Sequence, residues 1–118
     1  MNFDYLLSCK PSDRTFETMI KHIVMWQLKD AAHGNDRNTN ASLIKEKLEA
    51  LRGRIPGMMV VEVGVDFSRS DSSGDVVLYS EFLDRKALEA YQKNPEHEAL
   101  KPFIGEASRE RRVVDYEL

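Results

Sequence analysis

The amino-acid sequence predicts an α+β fold with the element order β-α-β-β-α-β, the ferredoxin-like or split βαβ plan. Four segments rich in β-branched and large apolar residues are typical of strands. Two segments whose apolar residues are spaced three or four apart are typical of helices. A chain of 118 residues has room for one domain with one core.

The first predicted strand, residues 19–28, is apolar on both faces. Every second residue of a strand points to the same face, so His22, Val24 and Trp26 lie on one face, and Ile23 and Met25 lie on the other. Because neither face is polar enough to meet water, something has to cover both faces of the sheet.

A polar loop over 30–39 leads to the first helix, which Asn40 or Ser42 is expected to cap. Gly53 and Pro56 are expected to end this helix, since the first favours a left-handed cap and the second cannot continue helical hydrogen bonding. Its buried stripe is expected to comprise Ile44, Leu48, Leu51 and Ile55.

The second half of the chain supplies the remaining elements. Strands are predicted over 58–65 and 75–82, joined by the serine-rich hairpin linker 68–74. In the first of them one continuous apolar face is expected, formed by Met59, Val61, Val63 and Val65. A closing strand is predicted over 111–118.

The second helix is expected to begin after Asp84, with Ala87, Leu88 and Tyr91 facing inward. Asn94 and Pro95 favour a new, short helix, which places His97 in its first turn. Leu100, Phe103 and Ile104 supply apolar contacts after it, and Pro102 is expected to limit its regularity.

Charge and cysteine content narrow the class of protein. With 17 basic and 20 acidic side chains the net charge is −3, so a nucleic-acid partner is not expected. No apolar run is long enough to span a bilayer, so no membrane is expected. The only cysteine, Cys9, excludes an intrachain disulfide and a multi-thiolate zinc site, which favours a cytoplasmic location.

Residues 1–18 are predicted to be an N-terminal extension, and the domain itself is expected to occupy 19–118. Leu6-Leu7-Ser8-Cys9 also resembles a bacterial lipid-attachment box, but Asp4 interrupts the short apolar stretch before it and no basic region precedes it.

A homodimer follows from the predicted layers. The helices cover one face of the sheet, so a second copy is expected to cover the other by packing two sheets face to face. Ile23, Met25 and Val61, or their neighbours, are the residues expected in that interface.

Four sequence patterns then resemble the stress-responsive A/B barrel (Dabb) family over 19–118: residues 19–24, the junction Ile55-Pro56-Gly57-Met58, Tyr91 six positions before His97, and Val114-Asp115-Tyr116. The resemblance implies a dimeric α/β barrel of ferredoxin-like protomers.

One member of that family is the polyketide cyclase olivetolic acid cyclase. The resemblance implies a histidine base at His97, a tyrosine beside it at Tyr91, and a pocket histidine at His22. The sequence departs from the family in two places. Asn94 replaces the first histidine of a frequent His-Pro-x-His motif, and aliphatic residues such as Ile44 and Leu48 replace aromatic ones, so a different pocket shape is expected.

The candidate catalytic residues are His97, as a general base, and Tyr91, as a hydrogen-bond donor to an oxyanion. The helix dipole favours a neutral His97, whereas Glu96 and Glu98 favour the charged ring, so the direction of its pKa shift stays open. Packing roles for both residues are the alternative. Any cavity is expected to be lined by His22, Trp26, Leu48, Leu78 and Val113, with Arg111 at its mouth for an anionic group.

No metal or cofactor is expected, because His22, His33 and His97 match no ligand spacing and the sequence has no phosphate-binding loop. The function predicted is binding of a small organic molecule, with cofactor-free acid/base chemistry such as polyketide-type cyclisation. One alternative is a stress-protective structural dimer, in which Trp26 and Tyr91 fill the core. Another is a cofactor-independent monooxygenase, by analogy of fold.

Overall fold

The structure, a computed structural model, describes residues 19–118. The predicted N-terminal extension 1–18 and Cys9 lie outside the described residues. The elements of the described part are, in chain order, β1 (Ile20–Leu28), β2 (Ala31–Ala32), β3 (Asn35–Asp36), α1 (Arg37–Glu49), β4 (Met58–Val65), β5 (Val76–Phe82), α2 (Arg85–Lys93), α3 (Pro95–Glu98), α4 (Lys101–Ala107) and β6 (Ser108–Glu117).

The four long strands form one antiparallel sheet in the order β4-β5-β1-β6. This arrangement, with its helices, confirms the predicted α+β ferredoxin-like fold. Strand β1 alternates between buried residues and partly exposed ones, and β5 does the same. One face of the sheet is therefore packed beneath the helices, while the other carries the partly exposed residues. This second face is called the uncovered face, because none of the described helices packs on it.

The register decides which side chains meet on the helix-covered face, because residues directly opposite each other in antiparallel strands share a face. On this face the β1 residues lie opposite partners from β5 and β6. The pairs are His22 with Ser80 and Asp115, Val24 with Leu78 and Val113, and Trp26 with Val76 and Arg111.

The segment predicted as a polar loop contains a short hairpin, β2-β3. Its two turn residues, His33 (φ 56°) and Gly34 (φ 76°), are both left-handed, as a two-residue hairpin of this kind requires. The N-cap of α1 is Asp36, whose carboxylate accepts a hydrogen bond from the Thr39 amide at 2.8 Å. The prediction of Asn40 or Ser42 as the cap was therefore wrong.

Asn40 is instead buried inside α1. Its amide donates to the Ala32 carbonyl at 3.0 Å, and its Oδ1 accepts from Asn35 at 3.1 Å. The side chain therefore ties the hairpin to the helix.

Helix α1 ends at Glu49, earlier than Gly53 and Pro56 predicted. Tight turns follow, in which the Leu51 and Arg54 amides donate to carbonyls three residues back. Leu51 and Ile55 are nevertheless buried, so the predicted apolar stripe continues beyond the helix.

Strand β4 contains an irregularity that changes its faces. The register shifts between Met58 and Val60, so Met59 is the extra residue of a bulge and is 58% exposed. Beyond it, Val61 and Val63 face the helices, and Val61 is only 6% exposed. Val61 therefore does not belong to the uncovered face, and the continuous apolar face predicted for this strand is interrupted.

Helices α2 and α3 begin as predicted. The Asp84 carboxylate accepts from the Ala87 amide, and the Asn94 side chain accepts from the Glu96 amide, each at 2.8 Å. Helix α4 was not predicted, because Pro102 was expected to disturb it, but this proline lies in the first turn, where its missing N–H is harmless. Strand β6 begins at Ser108, three residues before the predicted start.

The uncovered face carries apolar residues and several polar ones, three of which form a hydrogen-bonded cluster. Nζ of Lys21 lies 3.2 Å from the Tyr79 hydroxyl and 3.4 Å from Oε2 of Glu81, and the hydroxyl also donates to Glu81. Around this cluster lie the apolar residues Ile23, Met25, Val60, Val77, Val114 and Tyr116.

The backbone edge of β4 is occupied by side chains from α1 and the turns after it. Lys45 and Arg52 each donate to a β4 carbonyl at 2.7 Å, that of Val63 and that of Val61 respectively. Two outward-facing acceptors of this edge strand are therefore satisfied within the chain.

Candidate functional site

A cavity of about 450 Å³ lies between the helix-covered face of the sheet and the helices. Small-molecule sites in proteins have volumes of this order. The sheet and α1 contribute His22, Val24, Trp26, Leu48, Leu78 and Arg111, and the α2–α4 segment contributes Tyr91, Gln92, His97, Leu100, Lys101, Ile104 and Gly105.

The apolar part of this lining comes from alternate residues of neighbouring strands. Val24 and Trp26 project from β1 and Leu78 projects from β5 directly opposite Val24, while Leu48 reaches the same space from α1. An apolar lining of this kind weakens hydration and strengthens the electrostatic interactions of any polar group inside the cavity.

His22 is buried and held by the edge strand. Its Nδ1 lies 2.5 Å from Oδ1 of Asp115 on β6, and its backbone carbonyl accepts from the Ser80 hydroxyl at 3.0 Å. When the carboxylate of Asp115 accepts the Nδ1 hydrogen, Nε2 becomes the nitrogen that is free to act as an acceptor in the neutral ring.

Tyr91 comes from the last turn of α2 and packs between aromatic rings. Its ring centroid lies 6.0 Å from that of His22, 5.0 Å from that of Phe82 and 4.1 Å from that of His97. Burial raises the pKa of its phenol to about 12, against the opposing effect of Arg111. The hydroxyl therefore stays protonated at neutral pH and is able to donate a hydrogen bond.

His97 lies on α3, with Nδ1 buried and without a hydrogen-bond partner among the described residues. Burial lowers the pKa of His97, Lys101 lowers it further, and Glu98 acts in the opposite direction. The Gln92 backbone also favours the charged ring, although its geometry falls short of a hydrogen bond. The sequence left the direction of the His97 pKa shift open, and in the structure that shift is downward. The ring is therefore neutral at neutral pH and is able to accept a proton.

Two cations complete the lining. Arg111 lies opposite Trp26 on β6, and Lys101 lies at the start of α4, where its Nζ is 3.2 Å from Oε1 of Glu98. The positive charge of Arg111 opposes the rise in the Tyr91 pKa.

Seven of the eight residues predicted for the site line this cavity, and they are His22, Trp26, Leu48, Leu78, Tyr91, His97 and Arg111. Val113 does not line it and is 38% exposed. Val113 lies on the helix-covered face, opposite Val24, as predicted. It belongs to an edge strand whose residues are mostly exposed, so it does not reach the cavity.

The lining residues that sequence reasoning missed are Val24, Gln92, Leu100, Lys101, Ile104 and Gly105. Val24 could have been found from its position between His22 and Trp26 on the same face. The other missed residues lie mostly in and around α4, which the sequence analysis did not predict.

Residues 19–118 contain no group of three or more His, Cys, Asp or Glu side chains placed to hold a metal ion. Within the same range, no helix has the length and apolar character that crossing a membrane would require.

Comparison with known proteins agrees with the fold. The family described as Stress responsive A/B Barrel Domain has a sequence model that matches residues 20–118. The chain belongs to this family. Its recognition from the sequence patterns is thus confirmed. No protein with a curated description matches the chain.

Solved structures similar to this stress-responsive A/B barrel protein share its ferredoxin-like fold. A dimeric protein of unknown function from Bacteroides fragilis is 32% identical, with a TM-score of 0.76 and coverage of 87% of this chain and 99% of that chain. A dimeric ferredoxin-like protein of unknown function from Thermobifida fusca is 22% identical, with a TM-score of 0.74 and coverage of 87% and 94%.

An enzyme is also among these similar structures. The hydroxynitrile lyase of Passiflora edulis is 15% identical, with a TM-score of 0.72, and the match covers 86% of this chain and 94% of that chain. At this identity the likeness concerns the fold alone.

Proposed function

We propose that this stress-responsive A/B barrel protein is a homodimer in which each protomer binds a small organic molecule and catalyses proton transfer on it without a cofactor. Polyketide-type cyclisation is one reaction of this class. The observation that carries the proposal is the convergence of His22, Tyr91 and His97 on one largely apolar cavity.

The proposed roles follow from the protonation states of the two central rings. A neutral His97 takes a proton from carbon or oxygen of the bound molecule, and the protonated Tyr91 donates a hydrogen bond to the oxygen on which negative charge develops. Both groups are ready in these states at neutral pH, so no metal is required for either role.

His22 is proposed to be a binding residue rather than the base. Its Nδ1 is already engaged with Asp115, so only Nε2 is left to meet a ligand. Trp26, Leu48 and Leu78 are proposed to bind the apolar part of the molecule. Val113 is left out of this set because it does not line the cavity.

The homodimer is supported by the uncovered face of the sheet. Met25, at its centre, is 44% exposed and lies opposite Val77 of β5 and Arg112 of β6, while Ile23 and Val114 add apolar surface to the same face. The similar proteins from Bacteroides fragilis and Thermobifida fusca are dimeric. Two sheets packed face to face would remove this apolar surface from water.

The alternative of a purely structural dimer predicts a filled core. Trp26 and Tyr91 are buried, as that alternative requires, but about 450 Å³ stays open beside them. The hydroxynitrile lyase with this fold shows only that the fold is able to carry an active site. The monooxygenase alternative stays a prediction from fold analogy.

The proposal is tested by following deuterium incorporation at the α-carbons of cyclohexanone in heavy water by NMR. The protein is expected to accelerate exchange over free imidazole by at least about a hundredfold, as general bases in enzymes do. His97→Ala is expected to abolish the acceleration and to leave thermal stability nearly unchanged.

Glu96→Gln is the matched control, because Glu96 lies next to His97 on α3 but outside the cavity lining. This variant is expected to retain the exchange rate. A wild-type rate no faster than that of imidazole, or an unchanged rate in His97→Ala, would contradict the proposed base.

A further inference from the structure

The charged side chains that line the His97 cavity are positive, whereas the net charge of the chain is negative. The chain carries a net charge of −3, yet the lining contributed by residues 19–118 contains two permanent cations, Arg111 and Lys101, and no aspartate or glutamate. Such a concentration of one sign of charge in an apolar cavity attracts a ligand of the opposite sign.

The two cations differ in their carboxylate partners, because Lys101 is paired with Glu98 whereas Arg111 forms no ion pair with a described residue. Asp115 accepts from His22, and Glu98 pairs with Lys101 at 3.2 Å, outside the lining. On β6, Glu110 accepts from Arg112 at 2.6 Å, and the register places both opposite β1 residues of the uncovered face. Arg111, between them, projects to the other face and is not neutralised by that pair.

A second cavity provides an internal comparison. It has a volume of about 560 Å³ and lies along α2 and the end of β6. Its charged lining comprises one cation, Arg85, and the three carboxylates Glu89, Asp115 and Glu117, and Arg85 is paired with Glu117 at 3.0 Å. A cationic lining is therefore a property of the His97 cavity and not of every depression beside β6.

We infer that the ligand of the His97 cavity carries a carboxylate or an equivalent anionic group on an apolar body of one or two rings. Arg111 binds the anionic group, and Lys101, shared with Glu98, adds a second positive charge. The apolar body lies against Trp26, Leu48 and Leu78. This inference rests on the proposed function, since it names the class of molecule that the cavity accepts.

The chemistry of the cations explains why an anion would be held firmly. A guanidinium offers a planar pair of N–H donors that matches the two oxygens of a carboxylate. The same anion would place the rest of the molecule beside Tyr91 and His97, which share the lining with Arg111.

Binding is measured with the full chain by the fluorescence of Trp26, which is the only tryptophan and lines the cavity. The probes are cyclohexanecarboxylate, cyclohexylmethanol and cyclohexylmethylamine near neutral pH, which share a ring and differ in charge. The carboxylate is expected to bind at least about tenfold more tightly than the alcohol, and the amine more weakly than either.

Arg111→Gln is expected to abolish the preference for the carboxylate over the alcohol, and Lys101→Gln to reduce it. Arg109→Gln removes a positive charge from the same strand outside the lining and is expected to retain the preference. Because Arg111 is exposed on an edge strand, its replacement is expected to leave the melting temperature almost unchanged, which a thermal melt verifies in parallel.

The outcomes separate this inference from the proposed function. Equal binding of carboxylate and alcohol, or an unchanged preference in Arg111→Gln, overturns the anionic ligand and leaves the small-molecule cavity intact. Absence of binding by all three probes overturns small-molecule binding itself, and with it the proposed function.

Discussion

At the scale of single residues, the cavity holds an imidazole in an unfavourable setting. His97 has a buried Nδ1 that no described residue satisfies, although buried polar atoms in proteins nearly always have a partner. An unsatisfied group of this kind costs folding free energy. Because Nδ1 is closed off from the cavity, the nitrogen of this ring left to accept a proton from a bound molecule is Nε2.

The lowered pKa of His97 makes a prediction for stability. Its folded-state value lies below the ordinary 6.5, so between the two values the unfolded chain binds more protons and the free energy of unfolding rises with pH. The contribution of His97 is complete above pH 6.5 and is lost as the pH falls through the folded-state pKa.

Urea unfolding of the wild type and of His97→Gln, from about pH 5 to about pH 8, measures this contribution. The difference between their unfolding free energies is expected to change within the acidic part of this range and to be constant above it. The opposite slope would show that folding favours the protonated ring.

At the scale of elements, the junction between α1 and β4 depends on two left-handed glycines. Gly53 (φ 80°) has open space where a Cβ would lie, whereas at Gly57 (φ 82°) that atom would lie 2.6 Å from Cβ of Ala87. The close approach lets the first turns of α2 pack against the start of β4.

These two glycines form a matched pair for substitution. Gly53→Ala is expected to lower the free energy of unfolding by about 1 to 2 kcal/mol, the cost of a left-handed backbone. Gly57→Ala adds a steric clash and is expected to lower it by about 1 to 3 kcal/mol more. Urea denaturation measures both, and equal losses would show that Ala87 moves away without penalty.

The elements also show where prediction from sequence succeeds. Periodicity identified β1, β5 and α2 because each buries one regular stripe of residues. It failed at β4, because a bulge at Met59 exchanges the two faces without any signal in composition. It also missed the hairpin before α1, whose left-handed turn includes His33 where glycine or asparagine is usual.

At the scale of the whole molecule, the proposed dimer makes a prediction about the uncovered face. Met25→Glu places a carboxylate at the centre of that face, opposite Arg112, which is already paired with Glu110. Burying this added charge in an interface is expected to cost several kcal/mol. The wild type is expected to have twice the mass of the chain by light scattering, and Met25→Glu the mass of one chain. Ala90→Glu, on the exposed side of α2, is expected to remain dimeric.

A wild-type protein of single-chain mass at micromolar concentration would contradict the dimer. Dissociation of the Ala90→Glu control would instead show that added charge alone disrupts the assembly.

How far the site could be predicted depends on which part of the molecule builds it. The sheet side follows from alternation along β1, and Arg111 follows from antiparallel pairing with Trp26. Lys101 and Ile104 were missed as lining residues because they belong to α4, a segment whose regularity Pro102 was expected to limit. Face assignment alone could not exclude Val113, since alternation does not reveal which part of an edge strand a helix covers.

The outer strands of the sheet have a consequence for behaviour at high concentration. On β4, Lys45 and Arg52 occupy carbonyls that a foreign strand would need, and β6 carries charges at Arg109, Glu110, Arg111, Arg112, Asp115 and Glu117. Charged or blocked edges are poor templates for added strands. These two edges are therefore expected to resist the addition of strands that builds fibrils, and the arginine proposed to recruit a ligand contributes to that resistance.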